Sequence, residues 1–339
     1  MDEFEVFTIA GTEEKGDKNG PGNGHGNKAI FNYPCNIAVR DDGTIIVSDW
    51  VNHKIIDIDP DGNVYIIAGT GKKGDKDGPG NEATFFHPAG IAIRNDGTII
   101  VVDRYNHKIR GIDLKGNVFT IAGKGEEEDE DGPGNEAMFS YPHGIAIKND
   151  GTIIVADTWN NKIRGIDLDG NVYTIAGTGE KGDKDGPGNE ATFYHPSGIA
   201  VKPDGTIIVS DTDNQKIRGI DPDGIVYIIA GTGKTGDKDG PVNEATFDIP
   251  AGISIDNYGA IIVSDTDNNK IRGIDPDGNV YTISGTGEFG DKDGTGNEAT
   301  FFHPNGISIR NDGTIIVADT DNHKIRGIRA KKLTKSAME

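Results

Sequence analysis

The chain has 339 residues, of which 50 are glycine and 34% are hydrophobic, and its formal net charge is −21. That much glycine excludes a mainly helical protein. The charge leaves no basic surface for a phosphate backbone or an anionic bilayer, so neither nucleic acid nor membrane is an expected partner.

The N-terminus, MDEFEVFTIAG, has no basic region and no apolar run. No leader is expected there, and the default compartment is cytoplasmic. Residues 6–11 (VFTIAG) read as a strand with none before it. A long loop follows, and then one unit recurs. Its Ala-Gly step, once Ser-Gly, falls at Ala10, Ala68, Ala122, Ala176, Ala230 and Ser284, a spacing of 58 and then 54 residues four times. Such a period marks an architecture of copies that cannot bury their apolar faces alone. Cys35, the one cysteine, excludes an internal disulfide. In the fourth copy the strands are 198–202, 206–211, 216–221 and 225–231, with Asp204-Gly205 and Asp223-Gly224 as hairpin turns. The polar stretch 211–215 joins the middle two strands, and a single helical turn is expected at 189–191. The last copy stops after KIRGIR (324–329), without its fourth strand.

The predicted fold is therefore all-β: a six-bladed β-propeller of four-stranded antiparallel blades, the last closed by the N-terminal strand. Residues 1–330 form one propeller and 331–339 a polar tail. Alternation of direction places the two minimal hairpins of each blade on a bottom face. The turns between strands two and three, and the long loops between blades, lie on a top face, where function is expected.

The repeated phrases P-x-G-I-A-V, D-G-x-I-I-V-x-D, N-x-K-I-R and G-x-V-x-T-I-A-G resemble those of the NHL-repeat β-propellers, over roughly residues 4 to 329. The resemblance implies the fold. It leaves function open, because that family includes protein-binding and RNA-binding modules, sensor domains and an amidating lyase. A lyase of that type would need several inward histidines. The position after the loop proline reads Cys35, Ala89, His143, Ser197, Ala251 and Asn305, which supplies one. The copies are more alike than is usual in the family, as recent amplification or consensus engineering would leave them.

Three sets of residues are candidates. The loop motif G-D-K-D-G-P-G-N-E has oxygen ligands at alternate positions but lacks the spacing of a calcium loop. Its second acidic residue recurs in the five copies that also carry an arginine in strand three; the first copy has Asn19 and Ile56 instead. The expected pairs are Asp77–Arg110, Asp131–Arg164, Asp185–Arg218, Asp239–Arg272 and Asp293–Arg326, each tying a loop to its blade. The second set is the Asp ending strand two (Asp49, Asp103, Asp157, Asp211, Asp265, Asp319), with Asn three residues on in every copy. A residue present in every blade is expected to serve the turn. The third set lies where the copies disagree. Between that Asp and Asn, copies four to six read Thr-Asp, whereas the first three read Trp50-Val51, Arg104-Tyr105 and Thr158-Trp159. Trp50, Arg104, Tyr105 and Trp159, with His143 on the same face, make a candidate ligand-binding patch, because rigid aromatics bury much area at low entropy cost. The other histidines are expected to pack on the surface.

These readings point to a non-enzymatic binding or scaffold module, monomeric, with no cofactor and no metal. Its partner would be a protein segment or small polar ligand of cationic character. The alternatives are a propeller with no selected ligand, or a lyase or hydrolase acting at the central channel.

Overall fold

A computed structural model describes residues 4–12, 14–16 and 28–331. Asn19, His25 and the tail beyond Lys331 lie outside them. Among the described residues the strands gather into six antiparallel sheets, each in the order first, second, third, fourth from the centre outward. Blade 4 is representative: Pro196–Val201, Ile207–Asp211, Lys216–Ile220 and Ile225–Ala230. The first strand of every blade touches that of the next, and that of blade 6 touches that of blade 1, so the circle is closed. Phe4–Ala10 is the outer strand of blade 6, paired with Lys324–Ala330.

The core lies between blades. Six apolar clusters each join one blade to the next; one combines Ile46, Ile55 and Ala68 of blade 1 with Phe85, Ile99 and Val101 of blade 2. The two clusters flanking blade 6 include Val6 and Ala10 of the N-terminal strand. Each second strand is buried along its length, as a sheet covered on both faces requires. At the centre the inner strands approach so closely that a Cβ at Gly198 would lie 2.0 Å from the Ala251 carbonyl oxygen.

Three features differ from the sequence-based expectation. Blades 2 to 6 have a fifth, two-residue strand, such as Gly186–Pro187, which pairs with the start of the outer strand at Ile225 and Val226. The long loop therefore does not stay on the top face: it descends the outer edge of the blade, caps its unpaired edge, and returns. The single helical turns are 3₁₀ turns between strands two and three, at Arg104–Asn106, Thr158–Asn160, Thr212–Asn214 and Thr320–Asn322. Residues 189–191 instead form a turn closed on the Pro187 carbonyl.

Candidate functional site

The top face is built on the buried Asp that ends each second strand. Asp211 accepts the Tyr194 backbone N–H at 2.8 Å with one oxygen and the Asn214 side chain at 2.8 Å with the other. Arg218 donates to that same oxygen at 2.7 Å and to Asp185 of the long loop at 2.5 Å. The guanidinium is fully buried, 5.2 Å from the centre of the Phe193 ring. The other four blades repeat this, with Asp77–Arg110 at 2.5 Å, Asp131–Arg164 at 2.5 Å, Asp239–Arg272 at 2.6 Å and Asp293–Arg326 at 2.6 Å. The first two candidate sets thus belong to one network, and the arginine is its centre. Burial pushes Asp103, Asp157, Asp211, Asp265 and Asp319 up to about 6 even beside their guanidinium partners. Two further carboxylates of the same loop are matched, Asp183 by Lys216 at 2.6 Å and Glu190 by Lys184 at 3.1 Å.

The residue after the turn Asn has a left-handed backbone in every blade: His53, His107, Asn161, Gln215, Asn269 and His323. Each offers a side-chain acceptor to a backbone N–H of the following blade. His107 Nδ1 accepts from Tyr141 at 3.2 Å, Asn161 Oδ1 from His195 at 3.0 Å and Gln215 Oε1 from Ile249 at 2.6 Å. These histidines are therefore clamps between blades, not surface packing. The sequence signal was that only His, Asn and Gln occur there, the side chains that place an acceptor at that reach.

The variable residues form two layers. Rings run in an unbroken series across four blades: Trp50–His87 at 5.2 Å between centroids, His87–Tyr105 at 4.7 Å, Tyr105–Tyr141 at 5.1 Å, Tyr141–Trp159 at 4.8 Å and Trp159–His195 at 5.9 Å. Tyr105 is 38% exposed and Trp159 is 54% exposed. Tyr141 and His87 bridge the predicted rings. Sequence reasoning missed them because they precede the next blade's proline, far along the chain from the turns.

Beneath this ladder lies a buried layer. His143 does not reach the surface patch: it is only 8% exposed, and its Nε2 lies 3.7 Å from Cys35 Sγ, a contact between blades 1 and 3. Burial, reinforced by Arg104, drives His143 down to about 3, and burial pushes the Cys35 thiol up to about 11. Arg104 is partly buried and is close enough to Cys35, His87 and His143 to act on the ionisation of all three. Below this layer a cavity of about 250 Å³ runs down the channel, lined by backbone and by uncharged side chains such as Ile91, Ile199 and Ser254. Blades 4 to 6 complete the rim with carboxylates. Asp213 and Asp321 bond to His195 and His303 at 2.7 and 2.5 Å. Asp248 is pushed up by burial and by neighbouring Asp267.

Fold and rim together define a six-bladed β-propeller with an asymmetric, aromatic-lined channel mouth. Residues 85–112, 139–166, 193–220 and 301–328 each match the NHL repeat. The chain is an NHL-repeat six-bladed β-propeller. It is 29% identical over 334 residues to NHL repeat-containing protein 2 of Gallus gallus, covering 87% of this chain and 46% of that protein, so it spans about half of that relative's length. A Bacteroides thetaiotaomicron structural genomics protein of unknown function superposes with a TM-score of 0.75 at 19% identity, covering 97% of this chain and 76% of the other. A catalytically inactive virginiamycin B lyase from Staphylococcus aureus with Quinupristin matches with a TM-score of 0.60 at 19% identity, covering 97% and 100%. These structural likenesses show the fold alone.

Proposed function

We propose that this propeller is a non-enzymatic binding module and that its working surface is the aromatic ladder on the rim of blades 1 to 4. The observation that carries this reading is the continuity of six rings, three of which (Trp50, Tyr105 and Trp159) stand at turn positions where the later copies hold Thr-Asp. A ring series of this kind supplies flat, rigid, half-exposed area of the sort that anchors a bound segment. The carboxylates on the other half of the rim support a cationic group in the partner. Asp248 and Asp267 act on each other electrostatically, and no Lys or Arg among the described residues pairs with either. The uncharged channel lining and the protonated Cys35 thiol speak against nucleophilic chemistry, which needs a thiolate. The partner that fits is a protein segment or small ligand that combines a flat apolar group with a cation.

Trp50 and Trp159, the two tryptophans of the chain, both lie in the ladder, so their indole N–H resonances report on it. Benzamidine, an aromatic cation, is the probe. It is expected to shift both resonances, and Trp159→Ala, which removes the ring without adding charge, is expected to weaken it about tenfold, the scale of one aromatic contact. Benzamidine and neutral benzamide both leaving the two resonances unmoved would remove the reading.

A further inference from the structure

We propose that the Arg104 corner of this rim is a carboxylate receptor: the ligand that lies on the ladder also carries an acidic group, held by Arg104 with His143 and Trp50. The proposal rests on the ladder being the binding surface and adds the chemistry of one end of the ligand.

Arg104 is a cation without a carboxylate partner among the described residues. In a chain of net charge −21, each of the five strand-three arginines meets at least two carboxylates. Arg104 pairs with none among the described residues, and its buried Nε donates to nothing. A partly desolvated charge with no counter-ion is costly until an anion arrives.

Other buried N–H groups without partners lie on the same side of the rim, in blades 1 to 3. Trp50 Nε1 is buried without an acceptor. His143 Nδ1 is also buried and unpartnered, on a side chain more than nine-tenths buried. The Cys35 thiol stays protonated and faces Nε2; when it donates to that nitrogen, the hydrogen of the neutral ring sits on Nδ1. Arg104 Nε and Trp50 Nε1 can only donate, and with His143 Nδ1–H they make a donor set that suits an anion. His87 Nδ1, in the ladder between Trp50 and Tyr105, is also buried and unpartnered, and its neutral ring joins that set in the Nδ1–H tautomer. Asn305 Oδ1, an unmatched acceptor, belongs to blade 6, two blades from Arg104.

In blades 4 to 6 the residue equivalent to Arg104 is a threonine that bonds to the proline carbonyl of the next blade: Thr212 to Pro250, Thr266 to Pro304 and Thr320 to Pro34, each at 2.8 Å. Arg104 gives up that bond and presents a guanidinium at the channel mouth, beside the ladder residue Tyr105. One guanidinium, an indole and a neutral imidazole suit a planar monoanion. A phosphate dianion would need a second cation, and the opposite rim is negative.

The test uses N-benzoylglycine and its primary amide, read by tryptophan emission and by calorimetry. The acid is expected to bind about tenfold or more tightly than the amide, the worth of a charge-assisted hydrogen bond. Arg104→Thr, which copies the residue of blades 3 to 6, is expected to keep the melting temperature and abolish the preference. The tripeptide Gly-Gly-Phe, free or amidated at its C-terminus, separates the sources. A free-terminus peptide tighter than N-benzoylglycine assigns a chain end, and the reverse assigns a small acid; either supports the receptor. Equal binding of acid and amide, or a preference that survives Arg104→Thr, overturns the carboxylate assignment and leaves the ladder standing. Failure of acid and amide alike to bind overturns both.

Discussion

Arg218 and its four counterparts show what one side chain decides. Each guanidinium is wholly buried, spans a fully buried carboxylate and a half-exposed one, and lies against a buried phenylalanine. Removing it strands Asp211 without a cation. Arg218→Ala is expected to cost about 3–5 kcal/mol, the penalty for a buried charge left alone; a urea melt showing no loss would contradict the network. Blade 1 has Ile56 in that place, fully buried among apolar neighbours, so its blade dispenses with the pair. Backbone strain adds a second residue-scale expectation. The residue before the loop proline is left-handed in all six blades, and in blade 5 it is the β-branched Ile249, at φ 52°. A β-branched side chain is a poor occupant of that region, whereas His tolerates it. Ile249→His, the residue of blades 2, 4 and 6, is expected to raise stability by about 1 kcal/mol, read as a higher denaturant midpoint.

At the scale of the element, the turn between strands two and three is a joint between blades. Its last residue must present an acceptor, and His53, His107 and His323 do so through a neutral ring. Burial lowers the pKa of all three. The unfolded chain takes up protons near pH 6.5 where the fold resists them, so their contribution is whole above about pH 6.5 and is lost as the pH falls below it. The five strand-two carboxylates raised to about 6 act in the opposite sense: their contribution is present below the ordinary carboxylate range and lost as pH rises through about 6. A comparison of two variants with the same carboxylates cancels them. Replacing all three histidines by Asn, as in blades 3 and 5, is expected to flatten the loss of melting temperature between pH 6.5 and 4.5 relative to the parent. Parallel curves would show that the clamps do not titrate.

At the scale of the molecule, closure is made by Phe4–Ala10. That strand buries Val6 and Ala10 in the clusters on either side of blade 6, and it pairs with Lys324–Ala330 on one edge and Gly294–Thr295 on the other. Deleting it opens an edge and two apolar clusters at once. The expected loss is at least about 3 kcal/mol, the scale of emptying one buried aliphatic site, and an unchanged melting temperature would contradict closure by this strand.

The sequence by itself determined whatever repeats six times. The period set the number of blades, the Asp-Gly steps set the hairpins, and the joint presence of Asp185 and Arg218 in the five copies that carry them pointed to a loop-to-blade tie. These are local or periodic signals, and repetition makes them audible. Tertiary structure alone decided what meets across blades. Only the ring brings Tyr141 between Tyr105 and Trp159, seats Cys35 against His143, and sends the long loop down the outer edge as a fifth strand. It also divides the variable residues into an exposed ladder and a buried layer with one unmatched guanidinium. Such contacts join residues tens of positions apart in different copies. They depend on how closely the inner strands converge, a distance set by the closure of the circle rather than by any single repeat.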